Sequence, residues 1–198
     1  MTTDDVKRMQ QSLGALLGQI DSAVASLSAA KAFAPQFPIL LMITLVDLLG
    51  YLSAGSSTQP NAVSFMRNYL GRRNRRYQEV SGLLYCMIRH GLVHEQKWKS
   101  IRLQNGSELT VRVGKGSLRT HLGVERGTAG TPWEKTLWLD VDVGQLWTDI
   151  KTGVGDFLED LSQDQGKLRT CVAAMDRLVA AESESTVKKY AKPDFAFL

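Results

Sequence analysis

The chain has 198 residues, 43% of them apolar and 22% charged, with a net charge of +4. Such values describe a globular chain with room for one full core, too short for two large domains, and they exclude a disordered protein. Two cysteines exclude a disulfide framework, and no Cys/His cluster has zinc spacing, so no metal or other cofactor is expected.

The acidic start Met1 to Asp5 lacks the basic-then-apolar build of a secretion signal, and a reducing, cytoplasmic setting is expected. Charge is unevenly spread. Residues 67 to 126 hold 13 Lys/Arg against four acids, a net +9, while the remainder is net −5. That polarity offers a basic face to an anionic partner, RNA first, and no membrane partner is expected.

From about Thr3 to Leu27, apolar residues including Met9, Leu13, Ile20 and Val24 keep a three-four spacing. This predicts a long amphipathic helix with a narrow seam, suited to packing along another helix or to dimerisation. Pro35 and Pro38 break the chain, and Pro38 suits the first turn of a second helix ending near Ala54. Its run Ile39 to Leu52 is very apolar, but Asp47 interrupts it and it falls short of the ~20 residues of a bilayer span, so it reads as a central core helix. Asp47 lies either on the exposed edge or buried with a partner, because an unpaired buried charge is costly.

Gly55 to Pro60 forms a turn, and a short helix follows from about Asn61 to Leu70 with Val63, Phe65, Met66 and Tyr69 inward. Next stand Arg72, Arg73, Arg75 and Arg76, either a solvated loop or an electrostatic clamp for phosphates. Tyr77 beside them belongs to the core or stacks on a base.

Val80, Leu83, Leu84, Met87, Ile88 and Gly91 recur at helical spacing and predict a fourth helix. On it His90 and His94 share a face, whereas Arg89 and His94 are about 140° apart in an ideal α-helix. For Arg89 and His94 to meet one substrate atom, the guanidinium must reach around the helix or the helix must loosen near Gly91.

After Glu95 the period changes to two. Lys99 to Leu103 and Glu108 to Val113 alternate around Asn105-Gly106, a strong hairpin signal, and Leu118 to Val124 and Lys135 to Val141 supply two further strands. The expectation is a small antiparallel insert over about 98–141, whose Arg102, Arg112, Lys115 and Arg119 extend the basic surface. Gly114-Lys115-Gly116-Ser117 lacks phosphate-loop spacing and is read as a turn. His121 has no acid or serine at a telling sequence distance and is read as structural. Asp142 caps a last helical region that bends between Ser162 and Gly166, with Cys171, like Cys86, in an apolar stripe. The tail from about 183 to 198 is read as flexible, docking on a partner or hanging loose.

Arg89-His90-Gly91-Leu92-Val93-His94 resembles the R-x4-H signature of the HEPN superfamily, all-helical domains of which many members are metal-independent ribonucleases. The resemblance covers residues 37 to 96 well and the rest as generic helix. It implies a single, mainly α, HEPN-like helical bundle over 1–198, with the β insert between the fourth helix and the C-terminal helices. It also implies a hydrolase acting on RNA, a homodimer whose two motifs line one cleft, a toxin or phage-defence role, and an antitoxin or regulatory protein as a further partner.

In such a reaction an RNA 2′-hydroxyl attacks its own 3′-phosphate and leaves a 2′,3′-cyclic phosphate. His94 would be the general base or acid, Arg89 the phosphate clamp, and His90 a second proton donor or a positioning group. Asp47 would orient Arg89 or a histidine from the neighbouring helix. In members regulated by a nucleotidyltransferase partner, a tyrosine stands two residues after the motif histidine. Here that residue is Gln96, so such regulation is not implied. The rival readings are an RNA- or nucleotide-binding module without cleavage, and a protein-interaction module in which Arg89 and His94 only complement a helix C-terminus.

Overall fold

A computed structural model describes residues 3–29, 36–95, 98–114, 116 and 120–181. The elements are mainly helical: α1 (Thr3–Ala29), α2 (Gln36–Ala54), α3 (Gln59–Asn68), a 3₁₀ turn (Leu70–Arg72), α4 (Arg76–Tyr85) and a π-helical segment (Cys86–Glu95). After them come β1 (Ile101–Arg102), β2 (Glu108–Gly114), β3 (Val124–Arg126) and β4 (Thr136–Asp142), then α5 (Val143–Gln163) and α6 (Gln165–Ala181).

The apolar α2 forms the centre, with α1, α3, α5, α6 and the π-helical segment packed against it. By length and composition alone α2 could cross a membrane, yet half of its most apolar window is buried among these neighbours. Gly50 allows the closest approach: a Cβ there would lie 2.6 Å from the backbone nitrogen of Ala62 on α3. Thr58 caps α3 by accepting from the Asn61 N–H, with Pro60 in the first turn. The narrow seam of α1, with Met9 and Leu13 buried, is used within the chain, against α2, α5 and α6.

The hairpin lies where Asn105-Gly106 predicts it, with Gly106 at φ 79° and β1 antiparallel to β2. The sheet as a whole differs from the antiparallel expectation. Its order is β1-β2-β4-β3, and β2 pairs with β4 in parallel, so the insert is a mixed sheet. Burial explains the order. β4 carries the fully buried Leu139 and Val141 and takes a central place, while the short β3, with Val124 52% exposed, goes to the edge. The long 115–135 connection permits the parallel crossover. Residues 120 to 123 form a turn, with Leu122 at φ 61°, where a strand was expected. Lys115, Ser117, Arg119 and the tail from 182 onward lie outside the described residues.

Asp142 caps α5 by accepting from the Gln145 N–H at 2.9 Å, and the chain breaks at Asp164, whose carboxylate accepts from the Gly166 and Lys167 N–H groups. Leu146, Ile150, Val154, Phe157 and Leu161 bury the inner stripe of α5.

Candidate functional site

The helix that starts at Arg76 does not keep one pitch. After Tyr85 it widens to the i→i+5 bonding of a π-helix through Glu95, a departure that is rare and often found at functional sites. Met87, Ile88 and Leu92 hold this segment in the core. A π-helix has about 4.4 residues per turn, so positions 89 and 94 come to about 50° from each other instead of about 140° as in an α-helix. Positions 90 and 94 stay on one face, about 30–40° apart in either kind of helix. The backbone of Val93 to Glu95 is described and their side chains are not, so the His94 imidazole lies outside the described structure.

Arg89 donates from Nε to Asp47 Oδ2 at 2.8 Å, and the Tyr85 hydroxyl donates to Asp47 Oδ1 at 2.5 Å. The two readings of Asp47 meet in one arrangement, since the carboxylate is 22% exposed and doubly partnered, and Arg89 keeps 31% of its side chain exposed. Burial, followed by the adjacent Asp47 carboxylate, pushes the Tyr85 hydroxyl up to about 12. Tyr85 therefore stays a donor at any ordinary pH. The His90 Nε2 lies 3.5 Å from Gln59 Oε1 at the start of α3, and its ring meets the Tyr85 ring edge-on at 6.5 Å.

The arginine loop is differently disposed. Arg72 grips Asp160 with both terminal nitrogens, at 3.1 and 2.8 Å, and lies 4.8 Å over the Tyr69 ring. Arg73 donates to Asp156 at 2.9 Å, and Arg76 to Glu79 at 2.9 Å. Arg75 is exposed and makes no ion pair among the described residues. Arg72 and Arg73 thus fasten the α3–α4 corner to α5, and their charge is largely answered within the chain. The Arg72 and Lys167 cations hold the Asp160 carboxyl down to about 2. A cavity of about 320 Å³ opens beside Arg72 and is lined also by Asn61, Asn68 and Lys167. Neither Arg89 nor His90 borders it.

Tyr77 is fully buried, so of its two readings the core one holds. Its hydroxyl lies 2.9 Å from Asp149 Oδ2 and 3.0 Å from His121 Nε2, while His121 Nδ1 accepts the Asp142 N–H at 3.1 Å. That acceptance places the imidazole proton on Nε2, giving a directed chain from His121 through Tyr77 to Asp149. Burial lowers the His121 pKa against the opposing pull of Asp149 and Asp142. Asp149 is the acid that sequence distance concealed. Arg112, expected to enlarge the basic surface, chelates buried Asp140 at 2.7 Å from two nitrogens and also reaches Glu125.

Sequence reasoning overlooked Tyr85 and the acids of α5. A signal existed for the latter, because Asp142, Asp149 and Asp156 recur every seven residues, one face of a helix. Among the described residues no three His, Cys, Asp or Glu side chains gather as metal ligands. Compared with protein-family models, curated proteins and solved structures, the chain matches none.

Proposed function

We propose that the chain is a metal-independent endoribonuclease of HEPN-like type whose reacting groups stand on the π-helical segment. The observation that carries the reading is the π-helical register, which brings positions 89 and 94 towards one face, together with the fixing of Arg89 by Asp47. A guanidinium held at Nε by a carboxylate leaves its two terminal nitrogens unused by that carboxylate and able to grip a phosphate. Arg89 steadies the charge that builds on phosphorus. His94 takes the proton from the attacking 2′-hydroxyl or returns one to the leaving 5′-oxygen, and His90 assists as donor or positioner. Asp47 and Tyr85 act through Arg89. A two-fold dimer would bring a second such set to the same strand, and a cytoplasmic toxin or defence role restrained by a partner protein belongs to the same proposal.

The test is cleavage of end-labelled RNA with EDTA present. The wild type should cut, and His94→Ala and Arg89→Ala should fold yet lose cutting. A clean wild type that leaves several RNAs intact would overturn the reading. A second reading, RNA binding without cleavage, is favoured by one observation: the Arg89 guanidinium fixed by Asp47 can hold a phosphate without any proton-transferring group beside it. A steep salt dependence of binding with no product would select it.

A further inference from the structure

We infer that the outer face of the β-sheet is a stacking platform for single-stranded RNA, with Trp133 as the exposed ring on which a base rests. The inference rests on RNA being the ligand proposed above, and it adds where the strand lies away from Arg89. Register divides the sheet into two faces. Leu109, Val111 and Val113 stand opposite Leu137, Leu139 and Val141 and turn to the core, whereas Thr110 stands opposite Trp138 and Arg112 opposite Asp140 on the outer face.

Trp133 projects from the loop before β4 and is 57% exposed, with its ring 5.7 Å from that of Trp138. An exposed tryptophan is usually an interface residue, since so large an apolar ring gains little in water. This one is also held in place. The Gly127 N–H donates to Thr136 O and the Thr136 N–H to Trp133 O, both at 2.8 Å, and a Cβ on Gly127 would fall 1.8 Å from Trp133 O. Trp138 is steadied by Arg112, whose guanidinium lies 5.9 Å from its ring centre while gripping Asp140.

A groove of about 450 Å³ is lined by Pro132 and Lys135 from the loop that carries Trp133 and by Arg102 and Glu108 from β1 and β2, among others. Arg102 and Lys135 enter no ion pair among the described residues, so two cations of this groove are available to phosphates, and Lys135 stands two residues along the loop from the exposed Trp133 ring. That combination is the general chemistry of single-strand binding, in which aromatic faces take bases of any sequence and nearby cations follow the backbone. The groove carries two unpaired cations, Arg102 and Lys135, against one acid, Glu108, which favours a polyanion with flat rings. The platform is also fastened to the proposed cleavage segment, because the Lys99 N–H donates to Met87 O at 3.1 Å just before β1 begins.

The experiment uses the full chain and a 2′-O-methyl oligoribonucleotide of about ten nucleotides, within the usual span of one such site, which cannot undergo 2′-hydroxyl attack. Tryptophan emission should be quenched on titration. Trp133→Ala, an exposed change that should leave circular dichroism unaltered, should remove most of the quenching and weaken binding about tenfold or more. Arg102→Ala with Lys135→Ala should weaken binding and flatten its salt dependence. A duplex of the same sequence should bind less well. Absence of quenching by any single strand, or binding by Trp133→Ala equal to wild type, would overturn the inference. So would a concentration-dependent shift of Trp133 emission without RNA, which would make this face a contact between two copies. The two proposals fail separately. Cleavage with an unchanged KM in Trp133→Ala removes only the platform, and quenching without cleavage removes only the nuclease.

Discussion

Arg89 on the π-helical segment and Asp47 on α2 are joined at 2.8 Å, and the carboxylate that holds the guanidinium is itself held by Tyr85 from one helical turn earlier. Asp47→Asn and Tyr85→Phe should therefore act through Arg89. Each should lower kcat for RNA cleavage about tenfold with KM little changed, and the partial exposure of the pair limits the stability loss to about 1 kcal/mol. Steady-state kinetics and thermal melts check this. Unaltered kcat in both variants would make the pair a packing feature only.

The buried His121, Tyr77 and Asp149 chain makes a prediction about pH. His121 is neutral in the fold and its pKa is lowered from the ordinary 6.5, so the unfolded chain binds the extra proton first as pH falls. Stability should decline from pH 6.5 downward, over the window between the unfolded and folded values, and level off below it. Urea midpoints at several pH values should show this decline in wild type and a shallower one in His121→Gln. Equal slopes would contradict it.

Asp160 carries the opposite arrangement for a carboxylate. Its pKa is lowered to about 2 by Arg72 and Lys167, so its contribution is complete above the ordinary 3.8 and is lost as pH falls towards 2. Arg72 and Lys167 are 42% and 44% exposed, and solvent screening reduces the effect to about 1 kcal/mol. Asp160→Asn should lower the melting temperature at pH 7 by about 2–4 °C, and by progressively less as pH falls from the ordinary 3.8 towards 2.

Gly50 sets the distance between α2 and α3. Gly50→Ala would put a methyl group against the Ala62 backbone, which cannot retreat as a side-chain end can, and should cost about 1–3 kcal/mol. Chemical denaturation measures it. A stabilised Gly50→Ala, through better helix propensity alone, would show the contact to be looser than 2.6 Å implies.

Local signals in the sequence reached far. The helical stripes, the Asn105-Gly106 turn and the break near Asp164 each follow from residues within one turn of each other, where spacing and turn chemistry suffice. What escaped was long-range. The parallel pairing of β2 with β4 depends on which strand is buried most, and that is decided by the helices packed beneath it. The partners of Arg72 and Arg73 lie more than 80 positions away on α5, so a run of arginines read as either a solvated loop or a phosphate clamp is largely paired inside the molecule. At the site itself Arg89, His90 and Asp47 were legible as residue types on apolar helices. The π-helical register was legible only as a need, namely that an α-helix would keep positions 89 and 94 apart.

The central claim concerns chemistry at positions 89 and 94, and the ends of the cut RNA test it most directly. Wild-type protein in EDTA should leave a 2′,3′-cyclic phosphate on one fragment and a 5′-hydroxyl on the other. His94→Ala should reduce the rate about 10²-fold or more, the usual worth of a proton-transferring histidine. Products bearing 5′-phosphates, or a His94→Ala protein that cuts at the wild-type rate, would contradict it.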